Sequence, residues 1–119
     1  MAREKILVVD KDLDNLSRIY LALIHRKFKA EACNNSEEIS ARIRRFKPAI
    51  IILNLPDYSS ISDKLKIPAI VLLESGDAGA ILNYGDLSLK KPVQIDELIK
   101  TIEMIATTFT PIQCQGLII

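Results

Sequence analysis

Short apolar runs punctuate this chain, and most stop at a polar or charged residue. Ile6–Val9 stops at Asp10, and Ala49–Leu53 stops at Asn54, while Ala69–Leu73 follows Pro68. Continuous β-branched runs of this length predict strands buried on both faces. Lys29–Cys33 alternates and predicts an edge-like strand, and Asp86–Lys90 predicts a weak fifth one. Between the runs the period lengthens to that of a helix. Leu16, Ile19, Tyr20, Leu23 and Ile24 form one stripe, and Ile39, Ile43 and Phe46 form a second. Ile95, Leu98, Ile99, Ile102, Ile105 and Ala106 form a third. Asp12 predicts the cap of the first helix, and Asn35 or Ser36 that of the second. Asp77 predicts the cap of a further short helix through Leu82, ended by Gly85. Thr110-Pro111 predicts the end of the last helix.

Strands alternating with helices five times predict an α/β fold, a doubly wound five-stranded parallel sheet with two helices on one face and three on the other. Residues 55–68 leave only fourteen positions for the third crossover. That admits one or two helical turns, because a crossover with its helix needs at least about 10–12 residues. In such folds ligands sit beyond the carboxyl ends of the strands. Asp10, Lys11, Asn54, Leu73 and Lys91 all belong there. Residues 1–109 are expected to form one domain. Residues 110–119 would form an apolar tail or the start of a linker, with Ile112, Leu117, Ile118 and Ile119 buried against the domain or a second copy.

Composition narrows the function more by exclusion than by indication. The 119 residues are 49% hydrophobic with a formal net charge of +1, so no global field favours nucleic acid, membrane or acidic partners. Arg42, Arg44, Arg45 and Lys47 read as a solvated helix face, and His25 as a helix-end cation. Cys33 and Cys114 lack metal-type spacing and read as free thiols in a reducing compartment. With no signal-like apolar region and no run of about 18 apolar residues, a cytoplasmic location is expected.

Val8-Val9-Asp10, Ile52-Leu53-Asn54, Ile67-Pro68-Ala69-Ile70-Val71 and Lys91-Pro92 occur in an order that resembles the receiver domain of two-component response regulators. The resemblance covers about residues 4–107 and implies a flavodoxin-like, CheY-like fold. In that family the acid ending the third strand takes a phosphoryl group from a histidine kinase, with Mg²⁺ bridging carboxylates and phosphoryl oxygens. This chain departs from the pattern at most of the site. Asn54 stands at the acceptor position, and a carboxamide has no anionic oxygen with which to attack phosphorus. Lys11 stands where the family pairs a second acid with Asp10. If its ammonium points into the site it opposes a divalent ion; two unit charges about 4 Å apart interact by roughly 4 kcal/mol at an effective dielectric near 20. If it points to solvent, the carboxylate is missing all the same. Leu73 replaces the hydroxyl residue that ends the fourth strand, unless a shift of two residues brings in Ser75. Ser88 falls at the switch position, where the family carries an aromatic ring. Lys91 keeps its place, with Asp10 or Asp12 as its expected partner.

The resemblance therefore implies a degenerate phosphorylation pocket made of Asp10, Lys11, Asp12, Asn54, Leu73 and Lys91. It implies no catalytic residue, no enzyme activity, no metal and no bound Mg²⁺. The expected function is a pseudo-receiver acting by protein–protein interaction through residues 77–109. Its partner would be a histidine kinase, a response regulator, an effector domain or a second copy of the chain. One alternative is a working receiver that uses Asp57 or Asp12 as a nonstandard acceptor with Mg²⁺. Another is a small-ligand-binding flavodoxin-like domain.

Overall fold

The structure, a computed structural model, describes residues 4–77, 79, 81–83 and 85–118, with side chains through Thr107. The apolar runs form the strands β1 (Lys5–Val9), β2 (Lys29–Cys33), β3 (Ile50–Asn54), β4 (Ala69–Leu73) and β5 (Leu87–Lys90). All pair in parallel, in the order β2-β1-β3-β4-β5, so the strand order reverses between β1 and β3. The helices are α1 (Leu13–His25), α2 (Ile39–Phe46), α3 (Leu55–Ile61) and α4 (Ile95–Ile118). A single 3₁₀ turn, Ser36–Glu38, precedes α2 and is capped by the Asn35 side chain, which accepts from Glu37 N at 3.0 Å.

Strand residues alternate between two cores. Ile6, Val8, Ile50, Ile52, Ile70 and Leu72 pack against Leu16, Ile19 and Leu23 of α1 and Leu98, Ile99, Ile102 and Ile105 of α4. Leu7, Val9, Ile51, Leu53 and Val71 pack the other way, against Ile39 of α2 and Tyr58 of α3. Burial on both faces is why β1, β3 and β4 read as unbroken apolar runs. Each such side chain taken from water is worth roughly 1.5–3 kcal/mol. On α1 the stripe is narrower than its spacing predicts: Ile24 is exposed and Tyr20 half-buried.

The expected helix from Asp77 to Leu82 does not form. Among the described residues between β4 and β5 there is no helix, so the faces carry two helices each rather than two and three. The local chemistry explains this. Asp77 reaches back, its Oδ2 accepting from Glu74 N at 2.8 Å, and closes a turn instead of opening a helix. Gly79 follows at φ +85°, in the left-handed region that a right-handed helix cannot use. The consequence is legible in β5. Leu87 and Leu89 face the α1/α4 core, whereas Ser88 and Lys90 are exposed on the face that no helix covers.

A polar clasp holds this crossover to α3. Tyr58, 2% exposed, donates from its hydroxyl to Asp86 Oδ2 at 2.7 Å and accepts from Asn83 N at 2.7 Å. Asp86 Oδ1 accepts from Ala69 N at 2.9 Å, at the start of β4. Asn83 Nδ2 adds a bond to Ser62 O at 2.9 Å. Burial, followed by the Asp86 contact, raises the Tyr58 hydroxyl above its ordinary titration range.

Thr110-Pro111 does not end the last helix, which runs to Ile118. A proline inside a helix removes one backbone bond and clashes with the preceding turn, yet kinked helices can continue past it. Phe109 and Ile112 keep the apolar spacing of Ile102 and Ile105 across this point. The expected burial of Ile112, Leu117, Ile118 and Ile119, and the state of Cys114, lie outside the described residues. Cys33 is a buried free thiol.

Candidate functional site

The carboxyl ends of β1, β3 and β5 converge on Asp10. The residue is 2% exposed, and its backbone N–H extends the β1–β2 pairing by donating to Cys33 O at 3.1 Å. Four donors meet its carboxylate. Oδ1 accepts from Asp12 N at 3.0 Å and from Asn54 Nδ2 at 3.2 Å. Oδ2 accepts from Asn15 Nδ2 at 2.6 Å and lies 3.7 Å from Lys91 Nζ. A carboxylate offers about four lone-pair sites, and each here faces a donor.

The other expected site residues divide into those brought to Asp10 and those that are not. Asn54, at the end of β3, reaches it. Its amide can face only one way, because turning it over would set its oxygen against the Asp10 carboxylate. That orientation leaves Asn54 Oδ1 buried without a partner among the described residues, a cost of about 1–3 kcal/mol for a desolvated acceptor. Lys91, following β5, reaches Asp10 as well, and its backbone N–H donates to Leu73 O at 2.8 Å. The Lys91–Pro92 peptide bond is cis. Asp12 does not pair with Lys91. It caps α1, its Oδ1 accepting from Asp14 N at 3.0 Å and Asn15 N at 3.3 Å.

Lys11 is exposed and makes no ion pair with the described residues, so of the two placements open to it the structure adopts solvent. Leu73 is half-buried, packs on the α2/α3 core and presents no donor side chain. With Glu74, Ser75, Asp77, Lys90 and Lys91 it lines a cavity of about 220 Å³ beside the site. Ser75 is exposed, and Ser88 faces solvent on the open side of β5. Asp57 is buried on α3 and accepts from Ser36 Oγ at 2.6 Å, a contact on the α2/α3 side of the sheet.

Asn15 is the site residue that sequence reasoning missed. Its signal was present: it is the third helical position after the Asp12 cap, and side chains of a first turn lean back toward the helix N-terminus. An amide there falls beside the end of β1. The basic run needs a further correction. Arg42 folds inward, donating to Glu31 Oε1 at 2.7 Å, Ala32 O at 3.1 Å and Glu38 Oε1 at 3.1 Å. The Glu31 bond is the main cause that raises the Arg42 pKa. Arg44, Arg45 and Lys47 remain exposed.

Magnesium, which the receiver fold implies, does not fit these residues. The ion demands near-octahedral oxygen ligands at about 2.0–2.1 Å. Asp10 is one carboxylate already surrounded by N–H groups, Asp12 is committed to its helix, and Asn54 turns nitrogen toward Asp10. Among the described residues no group of three His, Cys, Asp or Glu could hold a metal.

No family model and no curated protein matches the chain. Solved structures do. NtrX from Brucella abortus in complex with ATP aligns with a TM-score of 0.76 at 20% identity, over 98% of this chain and 29% of that one. A response regulator from Desulfuromonas acetoxidans aligns at 0.72 and 22% identity, over 90% of this chain and 99% of that one. A response regulator receiver protein from Burkholderia phymatum gives 0.74 and 20% identity, over 87% and 94%. The chain thus shares the receiver fold with nearly the whole of two of these proteins and spans less than a third of the NtrX chain.

Proposed function

We propose that this chain is a receiver-like module of a two-component, phosphorelay pathway that signals without being phosphorylated, through contact with another protein. One observation carries the reading. The group at the end of β3 that would attack phosphorus is the Asn54 carboxamide, and its nitrogen is spent on Asp10 at 3.2 Å. Three features support it: Asp10 faces four donors, Leu73 offers no hydroxyl to a transferred group, and Ser88 supplies no ring for a relay. The module has no enzymatic activity and no resident Mg²⁺, and it works in the cytoplasm.

The contact surface is the face formed by residues 77–109. With no helix among the described residues of the fourth crossover, it consists of the clasped loop, the exposed side of β5 and the outer side of α4. The partner is a histidine kinase, a response regulator or an effector domain.

Incubation with acetyl phosphate and Mg²⁺, followed by borohydride trapping and peptide mass spectrometry, tests the reading. The expected result is no acyl phosphate. Label on Asp57 or Asp12 would establish a nonstandard acceptor and overturn the proposal.

A further inference from the structure

We propose that Asn15, rather than Lys11, is the residue that closes Asp10 to a divalent cation. The inference rests on the reading of the site as one that signals without phosphorylation, and concerns how the metal is kept out. A metal must take a carboxylate oxygen, and Oδ2 is the one that the Asn15 amide occupies at 2.6 Å. This is the shortest of the four contacts to Asp10, a neutral N–H on an ionised oxygen, the kind of bond that charge shortens and strengthens. Lys91 stands 3.7 Å from the same oxygen, too far for a strong hydrogen bond.

The amide is itself held in place. Arg18 NH2 donates to Asn15 Oδ1 at 3.1 Å, which fixes the nitrogen toward Asp10. Arg18, Asn15 and Asp10 form a latch on one turn of α1 and the strand end beneath it. Lys11 takes no part, because its side chain is exposed and pairs with none of the described residues. Its charge is therefore screened by water, whereas the Asn15 donor faces a carboxylate that is only 3% exposed.

Asn15→Asp is the isosteric test, since it turns the donor on Oδ2 into a second carboxylate. Mg²⁺ and Mn²⁺ are titrated into the intact chain, with calorimetry and the thermal midpoint as readouts. The unsubstituted protein and Lys11→Asp are expected to show no saturable binding at or below about 1 mM. Asn15→Asp is expected to bind Mn²⁺ at least about tenfold more tightly than either, the size of one charge-assisted bond gained or lost. Its thermal midpoint should fall without metal and recover with it. Should Asn15→Asp fold poorly, Asn15→Ala in a Lys11→Asp, Asn54→Asp background must raise Mn²⁺ affinity by a similar factor over that background alone.

Metal binding by Lys11→Asp but not by Asn15→Asp would overturn the proposal. So would equal affinities with and without Asn15→Ala. Neither outcome touches the acetyl phosphate result on the unsubstituted protein, so a failure of the latch is distinguishable from a failure of the proposed function.

Discussion

Asn54→Asp places a second carboxylate against a buried one. The Asn54 amide nitrogen now lies 3.2 Å from Asp10 Oδ1 and donates to it. An aspartate in the same rotamer would turn that contact into two like charges. At about 4 Å between charge centres and an effective dielectric near 20, the repulsion is roughly 4 kcal/mol before relaxation. Lys91 Nζ, 3.7 Å from Asp10 Oδ2, attracts both carboxylates and offsets part of this. The net expectation is a loss of about 1–3 kcal/mol, which at this chain length lowers the thermal midpoint by about 4 °C per kcal/mol.

Thermal and urea unfolding followed by circular dichroism would measure it, with Asn54→Leu as the control. The control removes the amide donor and the orphaned oxygen together without adding charge, so it should stay within about 1 kcal/mol of the starting protein. The variant should also remain unlabelled by acetyl phosphate and Mg²⁺, because the new oxygen would bond Lys91 and Leu73 would offer no donor to the charge developing in transfer. An Asn54→Asp protein as stable as its parent would refute the four-donor account of Asp10. Robust labelling of it would show that only the nucleophile had been lost.

The clasp, the open face of β5 and the Arg42–Glu31 pair give the further tests. Tyr58→Phe leaves Asp86 Oδ2 and Asn83 N without their shared partner and should cost about 1–3 kcal/mol, with faster hydrogen exchange at residues 83 and 86. Because the folded protein holds the Tyr58 hydroxyl above its ordinary value of 10.0, its stabilising contribution is complete below pH 10.0 and is lost as pH rises further. That alkaline loss should be smaller in Tyr58→Phe, and equal pH dependence would contradict the assignment. Ser88→Tyr should change stability by no more than about 0.5 kcal/mol, as at other exposed sites; a loss above 2 kcal/mol would mean that this side of β5 is covered. A double-mutant cycle between Arg42→Ala and Glu31→Gln should give a coupling of about 0.2–1 kcal/mol, because the pair is partly exposed at 23% and 34% and solvent screens it. A coupling above 2 kcal/mol would contradict that exposure.

The fold was legible wherever both faces of a strand are buried. Ile6–Val9 and Ile50–Leu53 admit few environments other than the middle of a parallel sheet, whereas their order in it, β2-β1-β3-β4-β5, is fixed by tertiary packing that the runs do not encode. The helix expected at 77–82 is absent among the described residues because one cap residue does not fix a helix without an apolar face to bury. Asp77 bonds Glu74 equally well from a turn, and only tertiary context decides between the two. The Tyr58–Asp86 clasp was not legible at all, since its partners are 28 residues apart and share no period.

Of the candidate site, Asp10, Asn54 and Lys91 were legible as strand-end residues that meet, whereas Asn15 was not and Lys11 does not join them. Asn54, Leu73 and Ser88 could be named as departures because each occupies a fixed place relative to a strand. How Asp10 is satisfied depends on side-chain directions. Lys11 is adjacent in sequence and takes no part, whereas Asn15, five residues on, makes the shortest contact. A strand end turns its next residues outward, and the first turn of the following helix leans back over it. At such junctions the residues most able to reach a strand-ending acid lie in that helical turn. A strand-ending acid can therefore be satisfied from a position that its immediate sequence neighbours do not mark.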